Sequence, residues 1–155
     1  MSGSEGLGYG TQVMLDGAYA DQARLTDKHA VRTVLQRIVA EVEPNVEATA
    51  PAEVVFHDSG RDGMSAALIR GETSALFHAF PDLRTVTLHL FSAHDLSLSS
   101  TTRMFLGAFD VGRFQSSVRA YGHYLPRDPV ELEKALAGLR DYARIRVAPS
   151  ATVRT

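Results

Sequence analysis

The chain has 155 residues, 45% hydrophobic and 22% charged, an ordinary balance for one soluble domain long enough to bury a core without staples. It contains no cysteine, which excludes disulfides, zinc–thiolate sites and cysteine nucleophiles. A formal charge of -2, with arginines scattered along the chain, gives no electrostatic case for nucleic acid, and no apolar run approaches the roughly 18 residues that span a bilayer.

Residues 1–10, MSGSEGLGYG, read as a flexible N-terminus. Their G-x-G-x-G pattern follows no strand, which argues against a phosphate loop. They also lack the apolar core of a signal peptide, so a cytoplasmic location is expected. Thr11 to Asp16 reads as a short strand. From Thr26 the period becomes helical, with Val31, Val34, Leu35, Ile38, Val39 and Val42 on one stripe, Thr26 or Asp27 as N-cap and Pro44 closing the element.

Beyond the loop around Pro51, Glu53 to His57 is expected as a strand and Asp58 to Gly63 as a turn cluster. MSAALI and SALFHAF are two more strands, joined by a tight turn at Arg70-Gly71. In RTVTLHLF, Val86, Leu88 and Leu90 alternate with Thr85, Thr87 and His89, the mark of a half-buried antiparallel strand. A second helix falls within Asp95 to Phe109, and Ser117 to Tyr121 is another strand candidate.

Asp128 as N-cap, Pro129 at the first position and Glu131 as capping-box partner then start a helix whose stripe is Leu132, Ala135, Leu136 and Leu139. Ala143 to Val147 is expected as a final strand. The order implies an α+β fold, a mainly antiparallel sheet with helices on one face. Residues 11–148 are expected to form a single domain, of which 122–148 are a C-terminal helix and strand extension, and 149–155 are expected as a flexible tail.

Chemistry-bearing residues are few. His89, His94 and Asp95 lie close in sequence, but their spacing matches no strong metal-ligand motif, and no metal is expected. Ser65, Ser74 and His78 would suit a hydrolase triad, yet no G-x-S-x-G elbow is present.

The stretch GMSAALIRGETSALFHAFPD, Gly63 to Asp82, resembles the core of the bacterial pyruvoyl-dependent S-adenosylmethionine decarboxylase proenzymes. Their pattern is Gly-x-Ser-(Gly or Ala), a strand, then Glu-Ser-His-x-x-x-His-Thr-(Trp or Phe)-Pro-Glu. Aligned without a gap, Gly63, Ser65, Ala66, Glu72, His78, Phe80 and Pro81 match. Gly10 to Asp16, Val54-Val55-Phe56 and Phe91-Ser92-Ala93 extend the likeness more weakly.

The resemblance implies a two-layer α/β sandwich that assembles as a homodimer or higher homo-oligomer, with the interface contributing to the site. It implies a carboxy-lyase acting on S-adenosylmethionine, for polyamine (spermidine) synthesis, or on a related amino acid. In that family the serine after Glu attacks the preceding carbonyl, and elimination cleaves the chain to leave a covalent pyruvoyl group as electron sink. Ser65 and His78 match the residues that assist this self-processing.

The chain departs from the pattern at Thr73 (cleavage serine), Ser74 (histidine), Ala93 (catalytic cysteine), Gln12, Ala79 and Asp82. Thr73 keeps a hydroxyl, and processing there would give a 2-oxobutanoyl keto-acyl group, although its extra methyl crowds the attack. Ala93 cannot transfer a proton, a role typically worth about 10²–10⁴-fold. His94 and Ser92 are the nearest substitutes, but neighbours on a strand point to opposite faces.

Positions 73 and 78 are likewise an odd number apart. They share a face only if the chain bends, which Gly71 would permit; Ser74 is the alternative nucleophile that lies on the same face as His78 without a bend. Two functions are therefore expected in competition. One is a self-processing decarboxylase with Thr73 as precursor of its prosthetic group. The other is an uncleaved relative that binds an adenosyl or amino-acid ligand, or a partner subunit.

Overall fold

The computed structural model describes residues 10–43, 53–122 and 125–147. The termini expected to be flexible, Pro44 and the loop around Pro51 lie outside them. The chain forms two compact units, which divide between Tyr121 and Gly122.

In chain order the larger unit contains β1 (Gly10–Ala18), α1 (Gln22–Thr26), α2 (Lys28–Val42), β2 (Val54–Asp58), β3 (Met64–Arg70), β4 (Thr73–Phe80), β5 (Thr85–Ser92), α3 (Leu98–Phe109) and β6 (Arg113–Tyr121). The strands make one sheet in the order β2-β3-β4-β5-β1-β6, and every neighbouring pair is antiparallel.

Alternation along the strands gives the sheet two unlike faces. Val13, Leu15, Ala66, Leu68, Ala75, Phe77, Val86, Leu88 and Leu90 face α2 and α3 and form the core with Phe105, Phe109 and the stripe of α2. That stripe is Val31, Val34, Leu35, Ile38, Val39 and Val42, as the helical period requires. Phe77 and Phe109 meet with ring centroids 5.2 Å apart.

The other face carries Met14, Val55, Ser65, Ile69, Ser74, Leu76, His78, Phe80, Thr87 and His89, and among the described residues no helix of this unit covers it. All nine residues of the edge strand β6 are exposed.

Local chemistry explains where the elements differ from expectation. The helical region is broken in two because Asp21 caps α1 through the Ala23 and Arg24 amides, and Asp27 caps α2 through those of His29 and Ala30. β1 runs past Asp16 to Ala18 because β5 pairs with it as far as Gly17 and β6 as far as Ala18. β6 starts at Arg113, four residues before the expected strand, pairing with β1 along its whole length.

In the smaller unit, Asp128 Oδ1 accepts from the Val130 and Glu131 amides and starts α4 (Pro129–Val147). The final strand expected at Ala143 to Val147 is the last part of this helix instead. Ala and Arg there favour helix, and no glycine or proline stops it. Among the described residues, no helix is long and apolar enough to cross a membrane.

Candidate functional site

Gly71 and Glu72 form the turn between β3 and β4, and Gly71 takes φ 56°, the left-handed conformation such a turn needs. The chain does not bend after the turn. Thr73 pairs at once with Arg70 on one side and Ser92 on the other, and β4 continues regularly to Phe80. Thr73 and His78 therefore lie on opposite faces of the sheet.

On the covered face Thr73 is 1% exposed and stands in a polar cluster at the edge of the core. Its Oγ1 donates to Glu43 Oε1 at 2.7 Å and lies 2.7 Å from Ser92 Oγ. Because the single Thr73 proton goes to the carboxylate, Ser92 is the donor in the second bond. Ser92 Oγ in turn accepts from the His94 amide at 2.9 Å.

Glu43 is 6% exposed and sits at the C-terminal cap of α2. Its Oε1 also accepts from the Glu72 amide at 3.1 Å, and its Oε2 lies 3.1 Å from His94 Nε2. The Glu72 carboxylate approaches the same imidazole at 3.8 Å. A β-carbon on Gly71 would stand only 3.0 Å from Glu43 Oε2, so the glycine also makes room for the carboxylate. The Glu72 carbonyl, the one a residue-73 hydroxyl would attack, accepts from the Ala93 amide at 3.3 Å.

On the open face Ser65 and His78 are direct cross-strand partners, with Ser65 Oγ 2.8 Å from His78 Nδ1. His89 meets the His78 ring edge-on at 6.2 Å between centroids. Ser74 shares this face with His78 but is four residues along the strand, about 13 Å away. The structure thus joins Ser65 to His78, and brings Thr73 and the Glu72 amide together on Glu43, but it separates the two groups by the thickness of the sheet.

Glu43 is the site residue that the sequence reading missed, although the signal was present. Leu35, Val39 and Glu43 follow at four-residue spacing, which aims the carboxylate along the buried stripe. His94 turns to Glu43. Among the described residues no cluster of three or more His, Asp or Glu could hold a metal ion.

Position 73 thus places a hydroxyl beside a buried carboxylate, with the preceding carbonyl held by an amide. No curated protein sequence matches the chain. Among solved structures, the adenosylmethionine decarboxylase of Aquifex aeolicus superposes with a TM-score of 0.60 at 12% identity, covering 79% of this chain and 98% of that one. The sequence profile of the family described as S-adenosylmethionine decarboxylase matches residues 11–120. The chain belongs to the S-adenosylmethionine decarboxylase family.

Proposed function

We propose that this protein is a self-processing member of that family, in which Thr73 becomes a 2-oxobutanoyl group that serves decarboxylation of S-adenosylmethionine or a related amino acid. The family is pyruvoyl-dependent in general. The observation that carries the reading is the 2.7 Å bond from Thr73 Oγ1 to the Glu43 carboxylate, which addresses a nucleophile to a base at the family's cleavage position. The keto-acyl group, once formed, would supply the electron sink for loss of carbon dioxide.

The open sheet face carries exposed Val55, Ile69, Leu76 and Phe80, which supports a homodimer formed by a second copy on that face. Intact mass tests self-processing directly: fragments of residues 1–72 and 73–155 are expected, the second blocked at its N-terminus by a ketone. Release of labelled carbon dioxide from S-adenosylmethionine, ornithine or arginine then ranks substrates.

A second reading, an uncleaved relative that binds an adenosyl or amino-acid ligand or a partner subunit, is favoured by one observation. Ala93 offers only its backbone near Thr73, so no side chain replaces the family's acid at that position. A single full-length mass after long incubation would overturn self-processing and leave this reading standing.

A further inference from the structure

The helix layer carries a concave feature on the side of the molecule away from the open sheet face. The Asp21 amide donates to the Phe109 carbonyl, and Arg24 Nη1 donates to the Gly107 carbonyl. These bonds set the end of α3 beside the start of α2, so the two helices run in opposite directions. Between them lies a groove of about 530 Å³. His29, Thr33 and Arg37, at four-residue spacing, make one wall over about 12 Å of helix, and Arg103 with Gly107 makes the other. Ala30, Val34, Met104 and Ala108 form the floor.

Packing does not account for two features of this groove. Arg37 and Arg103 are exposed, and among the described residues neither guanidinium makes an ion pair or a hydrogen bond. No carboxylate lines the groove, so positive charge gathers there in a chain whose formal charge is -2. The second feature is Gly107, which sits inside α3 although glycine is the poorest helix former apart from proline. A β-carbon there would meet no atom within 4 Å, so no close approach calls for glycine. What the bare Cα does is keep its wall of the groove low.

We propose that this groove is a binding site for a small organic phosphate. The phosphate group lies between Arg37 and Arg103, and an apolar or aromatic body lies over Met104, Ala108 and Gly107. Each guanidinium is a planar fork that gives two parallel N–H bonds to one anion, and two forks suit a phosphate dianion. A carboxylate, with two oxygens, fills one fork and leaves the other unpaired. The Thr33 hydroxyl supplies a further donor on the same wall. The groove has the size of small-molecule pockets, about 300–1,000 Å³. Its apolar floor favours an organic phosphate over the free anion. The groove shares no residue with the cluster around Thr73 or with the Ser65–His78 pair, so its occupancy does not depend on whether the chain cleaves.

Calorimetric titration of the full chain with 1-naphthyl phosphate is the test, because this probe has no adenosyl or amino-acid group for the family's substrate site. Saturable binding at one site per chain is expected, and added salt should weaken it because both guanidiniums are exposed. Arg37→Gln and Arg103→Gln are each expected to loosen binding about tenfold or more, the loss of a charge-assisted hydrogen bond. Gly107→Leu puts a side chain into the groove and is expected to abolish binding, with Tm kept or raised because leucine favours helix. Inorganic phosphate and 1-naphthol, each carrying one half of the probe, are expected to bind far more weakly than the ester. The proposal is overturned by no saturable binding at millimolar probe, or by unaltered affinity in both arginine variants or in Gly107→Leu. Binding of 1-naphthol as tight as that of its phosphate ester overturns it too. A poly-glutamate peptide that binds more tightly than the probe would assign the groove to an acidic protein segment and equally overturn it.

Discussion

The eight residues of β4 serve two different environments. Thr73, Ala75, Phe77 and Ala79 are buried beneath the helices, whereas Ser74, Leu76, His78 and Phe80 look out from the open face. Both faces hold a hydroxyl close to a group that can take its proton: Thr73 with Glu43, and Ser65 with His78. Only the first pair touches the peptide between residues 72 and 73. Matching a motif by spacing alone merges the two, because spacing does not record which side of a strand a residue takes.

Removing the hydroxyl on the covered face is the sharpest way to break this comparison. Thr73→Val keeps the shape but is expected to abolish cleavage altogether. It also strips a donor from a buried carboxylate, which should cost about 1–3 kcal/mol in denaturant unfolding. Ser74→Ala, one residue along and on the other face, is expected to leave both cleavage and stability close to those of the unaltered chain. The opposite pattern, with cleavage lost only in Ser74→Ala, would transfer the nucleophile to the open face.

Packing offers the next contrast. Phe77→Ala empties a fully buried site against Phe109 and is expected to lower unfolding free energy by about 3–5 kcal/mol. Its neighbour Leu76 is 46% exposed, and Leu76→Ala should change stability by less than about 0.5 kcal/mol in the isolated chain. If a second copy sits on the open face, the Leu76 effect grows with protein concentration and the sedimentation profile shifts toward monomer. A Leu76 cost that ignores concentration would argue against that dimer.

A smaller effect tests the turn that brings Glu43 and Thr73 together. Gly71→Ala puts a side chain on a left-handed residue and 3.0 Å from Glu43 Oε2. Destabilisation of about 1 kcal/mol or more is expected. Cleavage should slow in parallel, because the carboxylate must move to admit the methyl. Unchanged stability and rate would show that Glu43 does not need its present position.

Most of the sheet was legible because alternation and turn residues are local. The α2 stripe, the clean alternation of β5 and the glycine turn before β4 all appear where the sequence puts them. The strand expected at Ala143 to Val147 was not legible, since five residues without a breaker suit either period and helix continuity from Pro129 decides. The site was legible in half. The motif singles out Ser65, His78 and the hydroxyl at 73, though not that the first two face each other across β3 and β4, and the odd spacing between 73 and 78 already implied two faces. Glu43 escaped because it lies 30 residues from Thr73 on a different element, and only tertiary packing of α2 over β4 unites them.

The two ends of α2 give the last and smallest test. Glu43 ends the helix inside the core, while Lys28 begins it in solvent, 3.2 Å from Asp58 Oδ2 on β2. The Gly60 amide, donating to Asp58 Oδ1 at 2.9 Å, holds the Asp58 carboxyl below its ordinary range, and Lys28 adds to the effect. A carboxyl lowered in the folded state contributes stability above the ordinary aspartate range, and that contribution is lost as pH falls through the lowered value. Asp58→Asn should therefore lower Tm slightly near neutral pH, with the gap closing under acid. Because the pair is exposed, added salt should weaken the Lys28 part and leave the Gly60 part. The corresponding change at the buried end, Glu43→Gln, should respond far less to salt. Equal salt sensitivity at both ends would contradict the contrast between a solvated anchor and a carboxylate enclosed beside Thr73.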